Sequence, residues 1–138
     1  MAGGAGVSGD AGRVSVFLAI ALAGVLILIG MVADGGARLR AMQRADNVAA
    51  EAARAAGQGI DGGKAIPGGE KELDPELASQ AAREYLAAAG VPGTAVVGEG
   101  GKQVTVEVTI TRDTAMLSLI GINTIQVTGR ATAVLRTE

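Results

Sequence analysis

Val14-Ser15-Val16-Phe17-Leu18-Ala19-Ile20-Ala21-Leu22-Ala23-Gly24-Val25-Leu26-Ile27-Leu28-Ile29-Gly30-Met31-Val32-Ala33 is a run of twenty residues without a charge, bracketed by Arg13 and Asp34. As a helix it is about 30 Å long, the thickness of a bilayer's hydrocarbon core. A secretory signal has a shorter apolar stretch followed by a small-residue cleavage site. A buried helix of this length in a soluble protein needs more chain around it than 138 residues supply. The run therefore predicts one transmembrane helix over residues 14–33.

On its N-terminal side, residues 1–13 are rich in Gly, Ala and Ser without periodicity and read as a disordered leader. On its C-terminal side, Asp34-Gly35-Gly36 is either a hinge, with Asp34 capping a second helix, or a soft point in one long helix. Two glycines weaken a helix by about 1 kcal/mol each. Residues 34–57 then read as an amphipathic juxtamembrane helix. Ala41, Met42, Ala45, Val48, Ala49, Ala52, Ala53 and Ala56 share one face, and Arg40, Gln43, Arg44, Asn47, Glu51 and Arg54 the other. An alanine face buries little area but permits close approach, either of the chain's own domain or of a neighbouring subunit. Ala19 and Ala23 are a small-residue pair compatible with helix packing inside the membrane.

Residues 58–72 are a glycine-rich loop, and residues 73–138 a small α/β domain. Asp74 is an N-cap, Pro75 suits the first helical position, and Glu76 lies at the positive end of the dipole. Leu77, Ala78, Ala81, Tyr85 and Ala88 are the expected apolar stripe, with Gly90 and Pro92 ending the helix. The period then changes to two. Thr94 to Val97 is a short strand, and Glu99-Gly100-Gly101-Lys102 a turn. In the strand from Gln103 to Thr111, Val104, Val106, Val108 and Ile110 alternate with Thr105, Glu107, Thr109 and Thr111. A last strand, Thr124 to Arg136, places Ile125, Val127, Ala131, Ala133 and Leu135 on one side. The fold class expected is α+β: the membrane helix and its amphipathic extension, then a second helix packed on an antiparallel sheet of about three strands with one wet face.

Between the last two strands, Met116, Leu117, Leu119, Ile120 and Ile122 are too apolar for an ordinary exposed connection. Two readings stand: a short helix capped by Asp113 that completes the core, or a patch that touches the membrane or a partner.

The inventory excludes several chemistries. The 138 residues hold no Cys, His or Trp, one Phe and one Tyr, against 22 Gly. Thiolate sites and disulfides are excluded, and so are the usual general base and the commonest metal ligand. Ser8, Ser15, Ser79 and Ser118 have no histidine to activate them. Glu70, Glu72, Asp74 and Glu76 lack the spacing and central glycine of a calcium loop. The loop after residue 57 has neither a preceding strand nor a Gly-Lys-Ser/Thr sequence, so it is no phosphate cradle. A net charge of −2 without a basic block speaks against nucleic acid. The expectation is a non-enzymatic protein with no cofactor, metal or small-molecule substrate.

Three stretches resemble the TadE/TadG-like proteins of the bacterial tight-adherence (Flp-type) pilus system. They are Asp10-Ala11-Gly12-Arg13-Val14-Ser15-Val16-Phe17; Ala33-Asp34-Gly35-Gly36 with Leu39 to Ala53; and Leu117 to Ile122 leading into Ile125 to Ala133. The resemblance implies a minor pilin-like or pilus-assembly component in the cell membrane. Its partners would be membrane lipid and pilus or secretion-system subunits, including like copies. It also implies a cytoplasmic N-terminus and an extracytoplasmic C-terminal domain. Arg13 on one side of the span against Arg38, Arg40 and Arg44 on the other points the opposite way under the positive-inside rule; three arginines on a helix flank weigh less than a whole architecture. The alternative is a membrane-anchored binding or regulatory protein of the cell envelope, unrelated to a fibre.

Processing by a prepilin peptidase would fall between Gly12 and Arg13. Family members cut there carry glutamate at the fifth position after the glycine, where this chain has Phe17. That departure aligns the N-terminus with the TadG-like, uncleaved side. The intact mass of protein from its native membrane is accordingly expected to include the leader. A mature chain beginning at Arg13 would overturn this.

Overall fold

A computed structural model describes residues 8–58 and 74–134. The architecture is α+β. Helix α1 spans Ser8–Ala56 and α2 spans Pro75–Ala89; the strands are β1 Gly93–Val97, β2 Gln103–Asp113 and β3 Thr124–Val134. The sheet is antiparallel in the order β1-β2-β3.

Helix α1 is continuous for 49 residues, about 74 Å. It begins at Ser8, so the second half of the leader is ordered, contrary to a disordered segment over 1–13. Extending a nucleated helix adds a hydrogen bond for each residue fixed. Asp10 lies in the first turn, where the dipole favours a carboxylate. Ser15, the one hydroxyl in the apolar run, donates to the Ala11 carbonyl at 2.9 Å, so it enters the run with its polar group satisfied. Gly35 and Gly36 do not break the helix. A Cβ at Gly35 would meet nothing within 4 Å, so no contact requires glycine there. What holds this stretch is tertiary: buried Gly30 and Asp34 precede it, and Ala37 and Ala41 follow on the same face.

The two halves of α1 differ in environment. From Val14 to Ile29 every residue is exposed, and the helix is long and apolar enough there to cross a membrane. From Ala41 onward it is built into the domain. Ala41, Ala45, Ala49, Ala52, Ala53 and Ala56 are all at most 1 % exposed. Their cover comes from β3, β2 and α2. The alanine face is thus an intramolecular core, and not an interface left free for a neighbour. Met42 is off that face and 41 % exposed, and Val48 is half-buried at its margin.

The sheet meets this face through register. Val104, Val106, Val108 and Ile110 lie opposite Ala133, Ala131, Gly129 and Val127 on the covered side. Val104, Val106 and Val108 are the largest fully buried side chains. Gly129 is the point of closest approach. A Cβ there would lie 2.3 Å from the Ala45 carbonyl carbon and 2.5 Å from the Asp46 nitrogen, so helix backbone rests directly on strand backbone. The wet side pairs Thr105 with Thr132, whose hydroxyls are 2.9 Å apart, and Glu107 with Arg130 in an ion pair.

Helix α2 starts as its sequence predicts. The Asp74 carboxylate accepts from the Glu76 and Leu77 amides at 2.8 and 3.2 Å. Its end is Gly90, in the left-handed region at φ 67°. Its buried stripe is Ala78, Ala82 and Leu86; of the expected Leu77, Ala78, Ala81, Tyr85 and Ala88, only Ala78 is fully buried. Tyr85 stays 37 % exposed and lines the groove between α1 and α2. The helix is therefore turned by about one residue, or 100°. It packs on α1 and β1, and α1 rather than α2 covers most of the sheet. The glycine-rich loop over 59–72 and the strand extension at Leu135 and Arg136 lie outside the described residues.

Replacing Gly129 with alanine is expected to destabilise the domain by about 3 kcal/mol, the upper range for overpacking, because neither contacting backbone can yield cheaply. Denaturation followed by circular dichroism in detergent checks this. Wild-type stability in that variant would mean the contact is loose.

Candidate functional site

Among the described residues no three Asp, Glu, His or Cys side chains converge as metal ligands, and no buried side-chain polar atom lacks a partner. The open groove between the C-terminal part of α1 and α2 is lined by Glu51, Arg54, Gln80, Glu84 and Tyr85. Its polar groups are largely spent on each other: Arg54 pairs with Glu51 at 2.6 Å, and Gln80 donates to Glu84 at 2.8 Å. The distinctive site is the junction where the domain meets the end of the apolar run.

The junction is made by α1 and by residues 114–123, which connect β2 to β3. The connection is closed at its neck by the Thr114 amide, which donates to the Asn123 carbonyl at 2.9 Å. The Thr114 hydroxyl donates to the Ile122 carbonyl. A single 3-10 turn, Leu117–Ile120, follows. It stops at Gly121, which adopts φ 88°, open to glycine without a steric penalty. The Gly121 and Ile122 amides return to the Ser118 and Leu117 carbonyls at 3.1 and 3.0 Å.

The start of this turn is held by α1. Asp34 Oδ1 accepts from the Ala115 amide, and Oδ2 from the Met116 and Leu117 amides, each at 2.9 Å. Three successive N–H groups enclose one carboxylate, an arrangement of aligned backbone dipoles that favours negative charge. Asp34 is 5 % exposed. The bonds from Ala115 and Leu117 hold its carboxyl below the ordinary carboxylate range; desolvation opposes them and the Met116 bond adds to them. Asp34 neither caps a second helix nor hinges the first, and the short turn is capped by Asp34 rather than by Asp113, which ends β2. One helical turn earlier, Met116 lies over Gly30. A Cβ at Gly30 would sit 2.1 Å from Met116 Cγ, so glycine is what lets the connection reach the helix.

The other residues singled out in the sequence fall into three places. Gly12 and Arg13, and Ala19 and Ala23, are exposed on the free half of α1. The alanines from Ala41 to Ala56 lie inside the domain. Met116 and Leu117 are half-buried against α1, whereas Leu119 and Ile120 are 76 % and 72 % exposed and Ile122 is 44 % exposed. The apolar connection therefore divides: its first residues complete a packed junction, and its tip is bare.

Comparison of the chain with protein-family models, with curated proteins and with solved structures gives no match.

The lowered value at Asp34 makes the junction acid-sensitive. Its contribution is fully present above the ordinary carboxylate range and is lost as pH falls through the depressed folded value. Amide exchange at Ala115, Met116 and Leu117, corrected for the intrinsic rate, is expected to be protected at neutral pH and to accelerate in that acid window. Asp34→Asn, which leaves one acceptor oxygen for three donors, is expected to release the same amides at neutral pH, while Asp113→Asn does not. Unchanged protection in Asp34→Asn would sink the assignment.

Proposed function

We propose that this chain is a minor pilin-like or pilus-assembly protein of a tight-adherence type system. It is held by one membrane span and displays its α+β domain outside the cytoplasm. The observation that carries this reading is the form of α1: one unbroken helix whose apolar half is bare and whose alanine half is the spine of a sheet domain. A membrane tether alone needs no rigid continuation into the domain it carries. A subunit that stacks by its helix does, because the domain's position must follow the helix. The three stretches that resemble the TadE/TadG-like proteins support the same reading. Like subunits, or other components of the pilus machine, would meet the span at Ala19 and Ala23.

The absence of cysteine makes the test clean. Ala19→Cys and Ala23→Cys are expected to cross-link in native membranes, to a like copy or to a pilus component, while Thr128→Cys on the wet face of the sheet does not. In intact cells, Thr128→Cys is expected to react with a membrane-impermeant maleimide. Labelling only after lysis would reverse the orientation. Span cysteines that never cross-link would remove the fibre and favour a membrane-anchored binding or regulatory protein of the envelope.

A further inference from the structure

The bare tip at Leu119, Ile120 and Ile122 has a definite place along the span. Met116, three residues before Leu119, rests on Gly30, and Gly30 lies three residues inside the end of the apolar run, about 4.5 Å along the helix axis. The connection thus reaches the span below the level at which its charges begin. Its neighbours on α1 there, Ile27, Leu28, Ile29, Met31 and Val32, are all more than half exposed. The bare tip and the bare end of the apolar run thus lie at the same end of the domain.

Lipid favours backbone whose polar groups are satisfied internally, and seven amides of the connection have partners within the protein. The Thr114 amide bonds to Asn123; those of Ala115, Met116 and Leu117 bond to Asp34; those of Leu119, Gly121 and Ile122 bond within the turn. The Ser118 hydroxyl is folded back on the Ala115 carbonyl at 2.7 Å. From Thr114 to Asn123 there is no charged residue, and Arg112 and Asp113 stand at the neck. A connection bound for water has no use for three large exposed aliphatic side chains on a charge-free turn.

From this we infer that the tip of the β2–β3 connection, Leu119, Ile120 and Ile122, inserts beside the span into the bilayer that the span crosses, giving the domain a second attachment to lipid. The inference rests on the reading of residues 14–33 as a membrane span. The attachment is shallow, at the boundary between headgroups and acyl chains, because the neck carries charge. It tethers the domain at two points instead of one.

The chain has no tryptophan, so a single introduced one reports its own surroundings. Full-length Ile120→Trp, Phe17→Trp and Thr132→Trp are reconstituted in vesicles of phosphatidylethanolamine and phosphatidylglycerol, with and without lipids brominated near the headgroup end of the chain. Ile120→Trp is expected to emit blue-shifted light and to lose at least half its intensity to the shallow bromines. Thr132→Trp, at the far end of the sheet, should emit as in water and be unaffected. Water-like, unquenched emission from Ile120→Trp overturns the proposal. So does blue-shifted emission that lipid bromines do not touch and that disappears on dilution with lipid, since a second copy then covers the tip. Phe17→Trp separates this failure from that of the span itself, because a span out of the bilayer leaves Phe17→Trp unquenched by bromines at any depth.

Discussion

The backbone contact between α1 and β3 at Gly129 is the constraint from which the rest of this domain follows. With no cysteine, no tryptophan and one exposed tyrosine, the chain has few large side chains with which to fill a core. It closes the gap instead by bringing helix and sheet together until an alanine face and a strand glycine touch. Each alanine contributes little area, but the short separation restores dispersion contacts that voids would forfeit. The arrangement also explains the burial of Val104, Val106 and Val108, which fill the space left on the neighbouring strand. A core of this kind tolerates little: a single added methyl group at Gly129 has no place to go.

The second constraint lies at the other end of the domain. Asp34 joins α1 to a connection more than eighty residues later in the chain, with three hydrogen bonds to a charged acceptor, the stronger class of such bonds. Together with Met116 on Gly30, it fixes the domain against the end of the apolar run, and the helix continues unbroken across Gly35 and Gly36. Without it, two adjacent glycines would be the natural place for the chain to bend.

Local features were legible in the sequence because their causes are local. The apolar run, the Asp74 cap, the Gly90 stop and the alternation along β2 and β3 each depend on residues a few positions apart. The orientation of α2 was legible only in part: Ala78 lies on both stripes, but Tyr85 drew the rest of the expected stripe towards itself, whereas packing selects Ala82 and Leu86. The junction escaped for a different reason. Asp34 binds backbone amides, which carry no side-chain signature, and its partners are remote in sequence. A signal was present even so: a glycine four residues before an acid at the end of an apolar run, and a charge-free connection with unclaimed amides at its start. Gly129 is similar, a small residue at an inward position of a strand whose other inward residues are larger.

The continuity of α1 has a geometric consequence for any array of these molecules. At 100° per residue, Ala19 and Ala23 fall on the same side of the helix as Gly30, Asp34, Ala37 and Ala41, the side to which the domain is fixed. A neighbouring helix seated on that alanine pair therefore lies underneath the domain, in its shadow. Its own domain cannot occupy the same height and must be displaced along the common axis. The azimuth set by Asp34 thus becomes an axial stagger between adjacent copies, so that side-by-side association at equal height is sterically closed and stepped association is left open.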